Sequence, residues 1–209
     1  MKLTKAKENP ILKPNALNKW ENFCVLNPAV VYDEDLKKFV MLYRAAGDDK
    51  EHYIYLGLAY SDDGINFTRM SDEPVLSPIF DGEDGGGVED PRLVKMGEWY
   101  YLTYASRPYA PGRYWLDEPK PWFNPPKDGP TFLAWNNTVT YLAITKDFVN
   151  YKRLGRITDT REDDRDVYIF PEKVNAKFVR ISRPMFACGE GYPNKNPAIW
   201  ISYSNDLME

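Results

Sequence analysis

The chain has 209 residues, 43% of them apolar, enough to bury one core of ordinary size, and a net charge of −4. That mild acidity argues against nucleic acid or an anionic membrane as a partner, because both reward basic patches. The two cysteines, Cys24 and Cys188, make neither a metal motif nor a disulfide framework, and read as buried, reduced side chains.

The first ten residues, MKLTKAKENP, are polar and lack the apolar run of a signal peptide. No stretch approaches the ~18 apolar residues of a membrane span, so the expected location is cytoplasmic. From there on the chain offers short, often alternating apolar runs divided by turn residues, with 17 prolines and no long helical period. Strands are expected over 38–45, 53–61, 98–106, 138–146, 177–184 and 198–204. Asp33-Glu34-Asp35, Met96-Gly97 and Asn175-Ala176 supply the tight turns between paired strands. His52, the only histidine, falls in a charged loop and reads as a surface residue.

The runs repeat. NPAVVYDEDLKKFVMLYRA, DPRLVKMGEWYYLTYAS and FPEKVNAKFVRISRP share an early proline (Pro28, Pro91, Pro171), a short strand, a tight turn and an aromatic-containing strand. A strand with an acidic turn follows each of them. The units cover about 20–75, 85–160 and 165–209, and a Pro/Trp/Tyr-rich loop over 107–137 is inserted in the second. Sheets repeated in this way mark an all-β, β-propeller fold, expected here as a single partial domain over 1–209 with two and a half to three blades. A propeller closes with at least ~4 blades, so an open fan is expected to associate as a homo-oligomer.

In such a fold the first strand of each unit lies innermost. That puts Asn27, Asp90 and Phe170 at matching inward positions, with Arg44, Arg107 and Arg183 near the ends of the strands that follow. GGGVEDPRL (85–93) draws attention within this frame. Its glycines permit close approach, and Asp90 is the one carboxylate among the three matching positions. As a residue before proline, Asp90 also suits an ordinary turn. The glycines precede a strand rather than a helix, so they do not form a nucleotide phosphate loop. No cofactor or metal is called for.

GVEDPRL, together with LNPA (26–29), SDDG (61–64) and FPEK (170–173), resembles glycoside hydrolase family 130, the β-mannoside phosphorylases and mannosidases built on a five-bladed propeller. The likeness runs over 8–209 in motif order, and against the family's usual length it implies that the last blades are missing here. It implies an inverting phosphorolysis: inorganic phosphate attacks the anomeric carbon of a mannose-containing oligosaccharide and α-mannose 1-phosphate is released. Asp90 would be the sole protein acid, delivering its proton through the sugar 3-hydroxyl. An inverting hydrolase needs a second carboxylate ~6.5–9.5 Å away to activate water. Phosphate needs a cationic pocket instead, for which Arg107 (or Arg113), Arg165, Lys173 and Arg183 are the candidates. Asn27, Arg44, Glu89, Arg92, Tyr104, Tyr109 and Asp166 would contact substrate, and Trp115 and Trp122 could stack on sugar rings. The chain departs from the family at Ser182-Arg183-Pro184, where many phosphorylases read HRP. Two alternatives stand beside this reading: a β-mannoside hydrolase with Glu89, Asp117 or Glu118 as base, and a sugar-binding propeller without turnover.

Overall fold

Period-2 runs of Val, Leu, Tyr and Phe bounded by turn residues suit a pleated, half-buried surface. In the computed structural model, which describes residues 3–116, 127–128 and 131–208, they form three antiparallel sheets. The first holds β1 (Cys24–Asp33), β2 (Lys38–Ala46), β3 (Ile54–Ser61) and β4 (Thr68–Arg69). The second holds β5 (Glu89–Met96), β6 (Trp99–Ser106), β7 (Val139–Thr145) and β8 (Lys152–Arg156). The third, ordered β11-β10-β9, holds β9 (Tyr168–Ile169), β10 (Phe178–Ser182) and β11 (Trp200–Ser204). One short helix, α1 (Thr131–Trp135), precedes β7. The six expected strands are all present, with ends displaced by at most a residue or two, and the sheets are the blades of an incomplete propeller.

The blades pack through their faces. Val40, Leu42, Leu56 and Leu58 of the first meet Tyr100, Leu102, Tyr104 and Tyr141 of the second, all nearly inaccessible to water. Each such side chain contributes about 1.5–3 kcal/mol relative to exposure. Leu142 and Ile157 meet Val167 and Ile169 on the way to the third blade. Polar pins fix the angle between blades. Asp33 ends β1, and its Oδ1 accepts the turn N–H groups of Asp35 and Leu36 at 2.9 and 2.8 Å. Its Oδ2 accepts the Tyr100 hydroxyl of the next blade at 2.9 Å.

The glycine run has a packing role. A Cβ on Gly86 would lie 2.1 Å from the Tyr109 carbonyl oxygen, so only glycine lets the segment pass under the chain that leaves β6. Its amide donates to the Arg107 carbonyl at 2.8 Å, and Val88 donates to Ile54 at 2.9 Å. This clamp delivers Glu89 and Asp90 to the innermost edge of the second blade. β1, β5 and β9 are innermost in their sheets and together line a central cavity of about 430 Å³.

Two sequence expectations change. His52 is not a surface residue: it is 5% exposed, its ring bonded to the Gly47 carbonyl at 3.1 Å. The left-handed backbone at His52 (φ 53°) turns the ring inward while the charged neighbours face water. The cysteines are free but only half-buried.

Candidate active site

The starts of β1 and β5 share one backbone device. Each carries a bulge, between Leu26 and Ala29 and between Glu89 and Arg92. At each bulge a residue in the left-handed region precedes a proline: Asn27 (φ 44°) before Pro28, Asp90 (φ 50°) before Pro91. Asn and Asp tolerate that region best among non-glycine residues. Proline has no N–H to offer the ladder and is at home where the ladder is interrupted. The bulge turns both side chains toward the propeller axis, where Asn27 Nδ2 donates to Asp90 Oδ1 at 2.8 Å.

Arg44 reaches across from β2. Its Nη1 donates to Asp90 Oδ1 at 2.8 Å and lies 3.0 Å from Glu89 Oε2. Arg107, just past β6, approaches the other Glu89 oxygen at 3.3 Å. Glu89 is thus buried between two guanidinium groups. Both bonds to Asp90 converge on Oδ1, and Oδ2 has no hydrogen bond among the described residues. Arg92 ties this strand to the third blade. It donates to the Asp90 carbonyl at 2.9 Å, the Arg165 carbonyl at 3.2 Å and Asp166 Oδ1 at 2.5 Å, with its guanidinium over the Tyr168 ring. Arg183 binds the second Asp166 oxygen.

Asp90 lies between two cavities. On one side is the central cavity, which Asn27, Arg92, Thr103, Asp166 and Tyr168 also line. On the other is an outer cavity of about 610 Å³, where Arg44, Arg107 and Arg165 face Glu89 and Asp90. Asp163 pairs with Arg165, so the three guanidinium groups are balanced by three carboxylates, and what the cavity offers an anion is a set of converging guanidinium donors. Burial works to raise the Asp90 pKa, but Arg44, the Asn27 amide and Arg92 together outweigh it and hold the carboxyl below its ordinary value. In reverse, burial disfavours the charged form of Arg44, and Glu89 and Asp90 restore it, so its pKa is raised.

The structure therefore brings together Asn27, Arg44, Glu89, Asp90, Arg92, Arg107, Arg165, Asp166 and Arg183. The Arg165 fork is held by Asp163 at 2.8 and 2.5 Å. Four other expectations lie elsewhere. Lys173 sits on the exposed turn after β9 with its ammonium over the Phe178 ring. Tyr104 faces the core, donating to Asp84 at 3.0 Å and stacking on Tyr141. Tyr109 is fixed by reciprocal backbone bonds with the Asn136 amide, and Arg113 by the Asp49 carbonyl. Asp117, Glu118 and Trp122 lie outside the described residues. Phe170 does not match Asn27 and Asp90. Ile181 pairs with Tyr168, which brings Asp166 to the level of Arg183, while Pro171 opens a turn instead of a bulge. Phe23, His52 and Tyr114 line the outer cavity and were not expected there. Their separation along the chain leaves no local signal.

Residues 2–122 match the family model for glycoside hydrolase family 130, described as beta-1,4-mannooligosaccharide phosphorylase. The chain is 33% identical to the 1,2-beta-oligomannan phosphorylase of Thermoanaerobacter sp. (strain X514), over 99% of this chain and 58% of that protein. It is also 33% identical to the beta-1,2-mannobiose phosphorylase of the same organism, over 96% of this chain and 57% of that protein. A solved complex of the Listeria innocua beta-1,2-mannobiose phosphorylase with beta-1,2-mannobiose superposes with a TM-score of 0.67 at 20% identity. That superposition covers 97% of this chain and 63% of that one. The chain thus spans less than two thirds of the length of these relatives. With the matched family covering more than half of its residues, the chain belongs to glycoside hydrolase family 130.

Proposed function

We propose that this site supports the inverting phosphorolysis of β-mannosides, with Asp90 as proton donor and inorganic phosphate as nucleophile. The observation that carries the reading is the unequal use of the carboxylates. Glu89 is held between Arg44 and Arg107, and Asp166 between Arg92 and Arg183. Each oxygen of Glu89 and of Asp166 thus faces a guanidinium group, whereas among the described residues the hydrogen bonds to Asp90 fall on Oδ1 alone. One available carboxylate is what phosphorolysis needs, whereas inverting hydrolysis uses two. The arginines of the outer cavity offer guanidinium donors to a phosphate, and the named activities of the curated relatives point the same way.

In this reaction a phosphate oxygen bonds to the anomeric carbon as the bond to the glycosidic oxygen breaks. Asp90 supplies the proton that the departing oxygen takes. Hydrogen phosphate brings one proton and the mannose 1-phosphate dianion keeps none, so the proton lost by Asp90 is replaced from the nucleophile. Beside Arg44 alone, the carboxyl is held ionised. A phosphate drawing on the same guanidinium groups weakens that hold and raises the proton affinity of Asp90. Arg44 then both orients the acid and ties its protonation to phosphate binding.

The test is incubation of the chain with β-1,2- and β-1,4-mannobiose, with and without phosphate, while mannose 1-phosphate is followed. Product that requires phosphate and is lost in Asp90→Asn is expected. Equal consumption of sugar without phosphate would overturn the phosphorolytic reading in favour of hydrolysis.

A further inference from the structure

The strap from Ile157 to Val167 joins the second blade to the third and belongs to no sheet. The backbone carbonyls of such a segment have no ladder N–H groups to pair with and need other donors where they are buried. The second blade supplies them from side chains. Thr140 of β7 donates its hydroxyl to the Asp164 carbonyl at 2.7 Å, and Thr103 of β6 donates its own to the Val167 carbonyl at 2.8 Å. Both threonines are 2% exposed or less. Between the two anchors Arg92 holds the Arg165 carbonyl at 3.2 Å.

The anchors bracket Arg165 and Asp166. Successive side chains of an extended segment point opposite ways, and here Arg165 lines the outer cavity while Asp166 lines the central one. Arg165 is forked through Nε and Nη2 on Asp163, which leaves Nη1 out of the fork. Asp163 lies on the same strap, so the pair travels with it as a unit. The position of this guanidinium in the cavity is therefore set by where the strap is pinned. Thr138 gives the contrast. It is 1% exposed and lies two residues before Thr140, and its carbonyl accepts the Asp164 amide at 3.0 Å. Its hydroxyl, however, has no hydrogen bond among the described residues.

We propose that Thr140 and Thr103 are positioning residues for the anion site: their hydroxyls pin the strap on either side of Arg165 and so hold its guanidinium where it converges with Arg44 and Arg107. Neither threonine lines the outer cavity, so each acts through the strap and not on the anion. A valine of nearly equal volume at either position leaves a strap carbonyl without its donor, and the strap must shift to find another. A displacement of well under the length of a hydrogen bond is enough to spoil convergent recognition of a phosphate. This rests on the phosphate reading above and adds the buried hydroxyls that set its affinity.

The experiment measures binding of inorganic phosphate to the full chain by calorimetry, well below the melting temperature of each variant. The Arg165 Nε–H resonance, assigned through Arg165→Lys, is followed by NMR in the same samples without phosphate. Thr140→Val is expected to weaken phosphate by about tenfold and to move the Arg165 resonance. Thr140→Ser, which keeps the hydroxyl, should bind within about twofold of the wild type, and Thr138→Val should change neither readout. Thr103→Val tests the other anchor and carries the comparison if Thr140→Val does not fold. In turnover, Thr140→Val should raise the KM for phosphate while kcat at saturating phosphate stays near that of the wild type. Phosphate bound equally by wild type, Thr140→Val and Thr103→Val overturns the proposal and leaves the phosphate reading standing, as does an equal loss in Thr138→Val. An Arg165 resonance that moves in Thr140→Val and not in Thr138→Val, in a chain that binds no phosphate, defeats the phosphate reading and leaves the clamp on Arg165.

Discussion

The bulges at the starts of β1 and β5 have the same backbone and opposite chemistry. Both place a left-handed residue before a proline and point it at the axis. The first carries Leu26 and Asn27, the second Glu89 and Asp90. The propeller geometry thus supplies an inward position in each blade, and the side chain chosen there decides whether the blade is support or reagent. Asn27 is support: its amide can only steer Asp90. In the proposed reaction Asp90 is the reagent, and a neighbouring blade provides the amide and the arginine that set its orientation and charge.

Making the second bulge chemically like the first is the most damaging change for activity. Asp90→Asn keeps an acceptor for both Asn27 and Arg44 but carries no proton to give. Phosphorolysis should fall by about 10³-fold or more, the scale of a lost general acid, with the fold retained as judged by circular dichroism. A variant with ordinary turnover would show that the bulge residue is not the acid.

Removing the arginine that joins the two blades should damage stability most. Arg44→Met leaves Glu89 buried with Arg107 as its remaining ion-pair partner, and Asp90 with Asn27. Breaking such a partly desolvated cluster costs about 3 kcal/mol, measured by urea unfolding. Arg107→Met should cost less, since Glu89 keeps the closer of its two arginines at 3.0 against 3.3 Å.

Converting the first bulge toward the second is the milder counterpart. Asn27→Asp sets a further carboxylate against Asp90 and replaces an attractive amide with a like charge. A loss of about 1–2 kcal/mol at neutral pH is expected, together with a raised Asp90 pKa, which NMR titration of labelled carboxyl groups reads directly.

The equivalence of Asn27 and Asp90 was legible in the sequence because both precede proline at the start of a unit and are followed at the same interval by an arginine, Arg44 or Arg107. The same pattern misled in the third blade. FPEK looks like NPAV and DPRL, yet β9 is two residues long and ends before Pro171. The inward position falls on Asp166, four residues earlier than the proline suggests. Parity explains Tyr104: Thr103 lines the central cavity, so its neighbour on β6 must face the opposite way, into the core. The aromatic cluster of the outer cavity was largely hidden, with Trp115 alone noted as a candidate. Phe23, His52 and Trp115 lie on three separate segments, brought together by the turn at His52 and by the bonds from Gly112 and Arg113 to the Glu51 and Asp49 carbonyls.

The smallest effects separate two aspartates whose surroundings push in opposite directions. Asp90 has its folded-state pKa lowered: burial opposes ionisation, but Arg44 and Asn27 prevail. Its stabilising contribution is present above the unfolded carboxylate value near ~3.9 and is lost as pH falls through the lower folded value. Asp164, on the strap between the second and third blades, has its pKa raised, chiefly by burial, with the Arg183 amide and Arg180 opposing. Its contribution has the reverse sign: it is largest at low pH and is lost as pH rises through the folded value. Asp90→Asn should therefore flatten the acid limb of the stability profile. Asp164→Asn should raise stability at pH 7 by up to about 1 kcal/mol relative to its effect at pH 3. Urea unfolding at both pH values checks the pair. Two slopes of the same sign would mean that the arginine at the bulge does not govern the charge of Asp90, and with it the coupling between phosphate and proton would fall.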